Sequence, residues 1–113
     1  MITIYHNPRC SKSREGLTYL EDKGVQYKIT KYLDEPLTKE ELTDILKKLN
    51  FKPIELVRTK EEIWKELTKD KNLDDNEIIE AMVKYPRLIE RPIIINGDKA
   101  VIARPTENID TII

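Results

Sequence analysis

The sequence predicts an α/β protein whose mixed four-stranded sheet is built from a βαβ unit, a later β-hairpin and a final short helix. Two strand-like segments flank a helical pattern near the N-terminus. Helical periodicity governs the middle of the chain, and Asn96-Gly97 separates two apolar runs near its end. Strand-like segments that alternate along the chain with segments of helical spacing are typical of a sheet that packs against helices.

The N-terminal segments predict the βαβ unit. Residues 2–5 form an apolar run, residues 11–23 follow a helical pattern ended by Lys23-Gly24, and residues 25–31 alternate apolar with polar. Strands joined by a helical crossover run parallel. Ligands of such units bind beyond the carboxyl end of the first strand, which is where Cys10 lies.

The middle of the chain, about residues 36–88, is predicted to be a helical insertion. Thr38-Lys39-Glu40-Glu41 and Thr59-Lys60-Glu61-Glu62 both match the capping box, and each precedes apolar residues at helical spacing. A third helix is expected from about Asp75 to Lys84, stopped by Pro86. Since this segment alone offers little core, residues 1–113 are predicted to form a single domain.

The last part of the chain predicts the hairpin and the final helix. Ile93-Ile94-Ile95 and residues 99–103 flank Asn96-Gly97-Asp98, and Pro105 suits the first position of a short helix. The complete order matches a thioredoxin-like arrangement. In that arrangement a cis-proline opens the third strand and faces the loop after the first strand, and Arg91-Pro92 occupies this position.

The loop from His6 to Arg14 holds the only cysteine of the chain, Cys10. The first N–H groups of a helix lack intrahelical partners, and the helix dipole is positive there, so a thiolate is favoured over a thiol. Cysteines in such places titrate at roughly 3.5–7.5, against ~8.5 for a free thiol. A buried, inert cysteine is the alternative, but the polar flanking residues Ser11 and Ser13 favour an activated one.

Composition narrows the possible partners. The net charge of -1 gives no argument for nucleic acid or an anionic membrane. No apolar run approaches the ~20 residues of a membrane span, and no export signal is apparent, so a cytoplasmic monomer is expected. One cysteine excludes an internal disulfide. No metal site and no resident cofactor are predicted.

Several arginines adjoin prolines in a chain that otherwise uses lysine as its surface cation. Arg9, Arg87, Arg91 and Arg104 are all next to a proline. The planar guanidinium fork matches an oxyanion bidentately, which lysine cannot do. Helix capping or pairing with a surface carboxylate is the alternative for any one of them.

These residues resemble the signature of a known family. His6-Asn7-Pro8-x-Cys10-x-x-Ser13-Arg14 is similar to the N-terminal motif of the glutaredoxin-coupled arsenate reductases, a thioredoxin-fold family. Three further blocks resemble that family in order and at similar spacing: Leu56-Val57-Arg58-Thr59, Glu90-Arg91-Pro92-Ile93 and Ala103-Arg104-Pro105. The resemblance covers essentially the whole chain, which ends soon after the last block, as in the shorter branch of the family.

The resemblance implies an arsenate reductase that acts in arsenic detoxification. Cys10 would attack arsenate, glutathione would attack the adduct and release arsenite, and glutaredoxin would resolve the mixed disulfide left on Cys10. Arsenate or a similar oxyanion would be bound by Arg58, Arg91 and Arg104. The residues expected to support the cysteine loop and the thiolate are His6, Asn7, Ser11, Ser13, Arg14 and Pro92.

Ser13 stands where Cys-x-x-Cys proteins carry their second cysteine, so an external thiol must regenerate Cys10. Glutathione, with a glutaredoxin, is the simplest supplier, and it would act as a co-substrate. Two alternatives stay open. One is a glutaredoxin-like oxidoreductase of glutathione mixed disulfides. The other is a Spx-type regulator that binds RNA polymerase, although Ser13 removes the redox switch of that type.

Overall fold

A computed structural model describes all residues, Met1–Ile113, and shows an α/β architecture. The strands and α-helices in chain order are β1 (Ile2–Tyr5), α1 (Ser11–Asp22), β2 (Tyr27–Thr30), α2 (Lys39–Leu49), α3 (Glu62–Leu67), α4 (Asp75–Lys84), β3 (Ile93–Asn96) and β4 (Lys99–Ile102). Short 3₁₀ helices span Pro53–Leu56, Pro86–Leu88 and Thr106–Thr111. The predicted order of elements is therefore confirmed.

The four strands form one mixed sheet in the order β2-β1-β3-β4. β1 runs parallel to β2, whereas β3 is antiparallel to both β1 and β4. Tyr5, the last residue of β1, pairs with Ile93, the first residue of β3. The loop that follows β1 and the Arg91-Pro92 segment that precedes β3 therefore meet at one end of the sheet, as the thioredoxin-like prediction requires. The peptide bond between Arg91 and Pro92 is cis, and so is the one between Arg104 and Pro105.

The chain divides into two compact units. The first unit, Met1–Glu35 with Arg91–Ile113, contains the sheet, α1 and the last 3₁₀ helix. Its core joins one face of the sheet to those helices through Ile2, Ile4, Leu20, Ile94, Ala103, Ile109 and Ile112. The second unit, Pro36–Glu90, contains α2, α3 and α4. The single-domain organisation stays a prediction.

Capping interactions define the N-termini of α2 and α4 in the second unit. Thr38 Oγ1 accepts the amide proton of Glu41 at 3.1 Å, and the Glu41 carboxylate accepts the amide proton of Thr38 at 3.0 Å, which confirms the first predicted capping box. Asp74 and Glu77 form a second box at the start of α4. Trp64 and Met82 are buried, as expected of core residues.

Three predicted details are wrong. The capping box at Thr59 does not form, because α3 begins at Glu62 and Glu61 occupies its N-cap position without a side-chain cap hydrogen bond. The Glu61 carboxylate lies 3.5 Å from the Arg58 guanidinium. β2 is shorter than the alternating pattern suggested. The final helix is a 3₁₀ helix that begins after Pro105, not at it.

Candidate active site

The loop between β1 and α1 places Cys10 at the helix start. The Cys10 amide donates to the Asn7 carbonyl at 3.0 Å, and the Arg14 amide donates to the Cys10 carbonyl at 3.0 Å, which closes the first helical turn. Arg9 N–H donates to the Asn7 side-chain oxygen at 3.0 Å. Cys10 is thus the N-cap residue of α1 with an extended backbone, and 8% of its surface is exposed.

His6 and Ser13 hold this loop from inside the protein. Ser13 is completely buried, and its Oγ accepts the Asn7 amide proton at 2.9 Å and shares a hydrogen bond of 2.7 Å with His6 Nδ1. Burial lowers the pKa of His6, with further lowering by the charges of Lys31 and Arg14, and the Ser13 contact opposes them. The shift favours the neutral imidazole, and the Ser13 hydrogen bond ties it to the loop; a supporting role for His6 stays a prediction.

Arg14 also supports the loop, and its contact is with the backbone. Its Nη1 donates to the Pro8 carbonyl at 2.9 Å, which ties the first turn of α1 to the loop in front of Cys10. Ser13 Oγ and Arg14 Nη1 thus both bind the segment between β1 and Cys10, which fixes its backbone.

Two of the three predicted arginines meet the sulfur. Arg104 Nη2 lies 3.7 Å from Cys10 Sγ, and Arg104 Nε donates to the Arg91 carbonyl at 2.8 Å. Arg91 itself hydrogen-bonds the Cys10 sulfur through its guanidinium. Asn108 braces the arrangement, because its Nδ2 donates to the carbonyls of Ile102 and Arg104 at 3.1 and 3.2 Å.

The pKa of the Cys10 thiol is lowered from its ordinary value. Burial, the largest single influence, raises the pKa, but the Ser13 N–H, the hydrogen bond and charge of Arg91, and the Lys12 N–H together outweigh it. These N–H groups act without a conventional cap hydrogen bond. Dipole, amides and guanidinium favour the same charge state, so the thiolate is favoured more here than in a free cysteine.

Gly16 and Asn108 are the positions that sequence reasoning missed. A Cβ atom on Gly16 would lie 2.8 Å from Pro92 Cγ, so only glycine lets α1 approach the proline that opens β3. Glycine inside a helix costs about 1 kcal/mol of stability relative to alanine. A glycine within the predicted helix could therefore have indicated a position where a side chain does not fit. Asn108 had no comparable signal, since its acceptors are backbone carbonyls.

Arg58, the third predicted arginine, belongs to the second unit. Its Nη1 lies 3.5 Å from the Glu61 carboxylate and donates to the Arg87 carbonyl at 3.3 Å. Its amide donates to the Leu88 carbonyl at 2.7 Å, beside an antiparallel bridge between Val57 and Ile89. A substrate-binding role for Arg58 stays a prediction. Ser11, a predicted supporting residue, is exposed on the first turn of α1.

Comparison with known proteins identifies the family. The model of the ArsC family matches residues 5–112. The chain belongs to the ArsC family. An arsenate reductase from Haemophilus influenzae is 47% identical, with 96% of this chain and 95% of the relative covered. An arsenate reductase from Neisseria meningitidis is 43% identical, with 99% and 97% covered.

Solved structures agree with this ArsC assignment. An arsenate reductase from Vibrio cholerae superposes with a TM-score of 0.93 at 40% identity, and the match covers 99% of this chain and 97% of that structure. The family and the thioredoxin-like fold class suggested by the sequence are both confirmed. None of the helices is long and apolar enough to cross a membrane.

Proposed function

We propose that this ArsC protein is an arsenate reductase in which Cys10 is the nucleophile and glutathione is the reductant. The observation that carries the proposal is the position of Cys10 Sγ, at the N-terminus of α1, within 3.7 Å of Arg104 Nη2 and hydrogen-bonded by Arg91. The relatives named arsenate reductases support the choice of substrate.

The first step is attack of the Cys10 thiolate on arsenate. A sulfur–arsenic bond forms, and one arsenate oxygen leaves as water after taking up protons. Thiolate and arsenate are both anions and repel each other unless positive charge lies between them. The guanidinium groups of Arg91 and Arg104 supply that charge, and Arg58 is proposed as the third arginine for the oxyanion. Such charge-assisted hydrogen bonds contribute roughly 1.5–3 kcal/mol each.

The second step is reduction by glutathione. Its sulfur attacks the Cys10 sulfur of the adduct, a disulfide bond forms, and the sulfur–arsenic bond breaks with its electron pair left on arsenic. Arsenic(V) becomes arsenic(III) and leaves as arsenite, while two thiols become one mixed disulfide. A glutaredoxin thiolate then takes the glutathionyl group, and Cys10 leaves as a thiolate. The chain has no second cysteine that could perform this resolution internally.

Steady-state arsenate reduction with glutathione, with and without a glutaredoxin, tests the proposal. We expect arsenite release by the wild type, stimulation by glutaredoxin, and no release by the Cys10→Ser variant. Mass spectrometry of the wild type stopped during turnover should show one glutathionyl group, on Cys10. Full activity of Cys10→Ser protein, or no activity of the wild type with any thiol, would refute the proposal.

Cys10 also suits a second function, that of a glutaredoxin-like oxidoreductase of glutathione mixed disulfides. A cysteine with a lowered pKa and a serine three residues later is sufficient to exchange thiols with glutathione mixed disulfides. A peptide–glutathione disulfide assay, run beside the arsenate assay on the same preparation, separates the two. Activity on the disulfide alone would favour the glutaredoxin-like alternative.

A further inference from the structure

A groove runs along the outer face of α1 and begins beside the site. Its volume is about 490 Å³, and its lining includes Ser11, Arg14, Glu15, Thr18 and Thr106, with Asp22 at the far end of α1. Ser11 directly follows Cys10, and Thr106 follows Arg104 by two residues. The two segments whose side chains meet at 3.7 Å therefore continue into the same end of the groove.

We propose that this groove binds the γ-glutamyl arm of glutathione, with the thiol at the Ser11–Thr106 end. This inference rests on the proposed function, because it names the place where the proposed reductant sits. Beyond the proposed function, the inference names the residues that would distinguish glutathione from other thiols.

The charges of the groove suit that arm. The γ-glutamyl group ends in a zwitterion, with an ammonium and a carboxylate on one carbon. Arg14 and Glu15 are adjacent, exposed and of opposite charge. One Arg14 nitrogen is used by the Pro8 carbonyl, and a guanidinium has further donors for a carboxylate. Glu15 pairs only with exposed Lys12 at 3.5 Å, a weak contact that an ammonium could replace.

The length of the γ-glutamyl arm also matches the distance along α1 from Ser11 to Glu15. An arm equivalent to two extended residues reaches about 7 Å from the cysteine of glutathione. Four residues along a helix, from Ser11 to Glu15, span about 6 Å. The zwitterion would therefore lie at the level of Arg14 and Glu15 when the thiol lies beside Cys10. Asp22, about 10 Å farther along α1, lies beyond the reach of the arm.

A second groove on the other side of the cysteine loop is a weaker candidate. Its volume is about 370 Å³, and His6, Pro8, Arg9, Lys31 and Asp34 are among its lining residues. All of them come from the chain before Cys10 or from the segment after β2. None comes from the Arg104 segment, whose guanidinium lies 3.7 Å from the sulfur.

The kinetic test compares two thiols and two charge reversals. Cysteinylglycine lacks the γ-glutamyl arm, so the ratio of kcat/KM for glutathione to that for cysteinylglycine measures what the arm contributes. We expect Glu15→Lys to lower this ratio about three- to fivefold, the usual range for an exposed charge contact. Asp22→Lys makes the same charge change on the same helix and should leave the ratio unchanged. An equal loss in both variants, or none in Glu15→Lys, would overturn the inference.

A binding measurement separates this inference from the proposed function. S-methylglutathione has no thiol, so titrating it into ¹⁵N-labelled wild-type protein reports binding without redox chemistry. We expect the largest amide shifts at Arg14, Glu15 and Thr18, and weaker shifts in Glu15→Lys. Shifts centred on Arg9 and Lys31, or no shifts at millimolar ligand, would overturn the groove assignment. Shifts in the groove with no arsenate reduction would refute the proposed function alone.

Discussion

The arginines of the two units are held in different ways. Arg104 in the first unit donates through Nε to the Arg91 carbonyl at 2.8 Å, and its Nη2 lies 3.7 Å from the Cys10 sulfur. Arg58 in the second unit also contacts a carbonyl, that of Arg87, but a carboxylate, Glu61, lies 3.5 Å from the same nitrogen. Arg104 thus contacts the thiol sulfur, whereas Arg58 contacts a carboxylate that partly compensates its charge.

This difference separates two kinds of cation. Arg91 and Arg104 lie at the sulfur before any substrate arrives, so under the proposed function their charge would serve the thiolate as well as the incoming oxyanion. If Arg58 binds the oxyanion, it must first exchange Glu61 for it. The first unit therefore determines the state of the thiol, and any part that Arg58 plays should appear in substrate binding.

The strongest test of this comparison is a matched pair of arginine variants. Arg91→Gln removes a hydrogen bond and a charge from the thiolate, so we expect kcat/KM for arsenate to fall about ten- to a hundredfold and the pKa of Cys10 to rise. Arg58→Gln should raise KM for arsenate and leave the thiol pKa unchanged. The rate of iodoacetamide alkylation against pH measures the thiol pKa of each variant.

Circular dichroism on both variants controls for loss of folding. An equal rise of the thiol pKa in Arg58→Gln and Arg91→Gln would contradict the difference between the two arginines. So would an Arg91→Gln variant whose alkylation rate depends on pH as in the wild type.

The next largest effect is a loss of stability when one hydroxyl group is removed from each unit. Ser13→Ala leaves the Asn7 amide and His6 Nδ1 without their buried partner, so we expect the free energy of unfolding to fall by about 2–3 kcal/mol. Thr38→Ala removes an exposed helix cap and should cost about 1 kcal/mol. Urea denaturation monitored by circular dichroism measures both.

Neither change should move the thiol pKa far, since it is the Ser13 N–H, and not its hydroxyl, that favours the thiolate. A strongly raised thiol pKa in folded Ser13→Ala protein would mean that the hydroxyl acts on the sulfur directly.

The units also differ in how far the sequence alone could predict them. Capping and helical spacing are local, so α2 and α4 were predicted closely. The Thr59 box failed because α3 begins at Glu62, which makes Glu61, and not Thr59, the N-cap residue. The position of Cys10 at a helix start followed from local pattern as well. The contact of Cys10 with Arg104 joins residues far apart in the chain, so only the family resemblance pointed to it.

His6 offers a smaller effect that is confined to the first unit. It is the only histidine of the chain, so its NMR titration is unambiguous. We expect a midpoint below the ordinary 6.5, because burial and the charges of Lys31 and Arg14 disfavour the imidazolium. Between pH 6.5 and that lower midpoint the unfolded chain binds a proton that the folded chain does not. Stability should therefore fall as pH decreases through this interval.

The same titration on the urea-unfolded chain gives the reference value, and His6→Gln should lack this contribution to the pH dependence of stability. A folded midpoint above the unfolded one would contradict the neutral, supporting role assigned to His6.

The smallest effect addresses Arg58 and is the most direct test of whether its charge is compensated. Glu61→Gln keeps the size of the side chain and removes its charge, so Arg58 no longer has a competing carboxylate. If Arg58 binds arsenate, KM for arsenate should fall about two- to threefold with kcat unchanged, in line with the small energy of a partly exposed ion pair. Glu62→Gln makes the same change at an exposed carboxylate 3.8 Å from Lys65 and controls for net charge. An equal fall in both variants would assign the effect to overall charge, and a rise in KM for Glu61→Gln alone would mean that Glu61 positions Arg58 and does not oppose it.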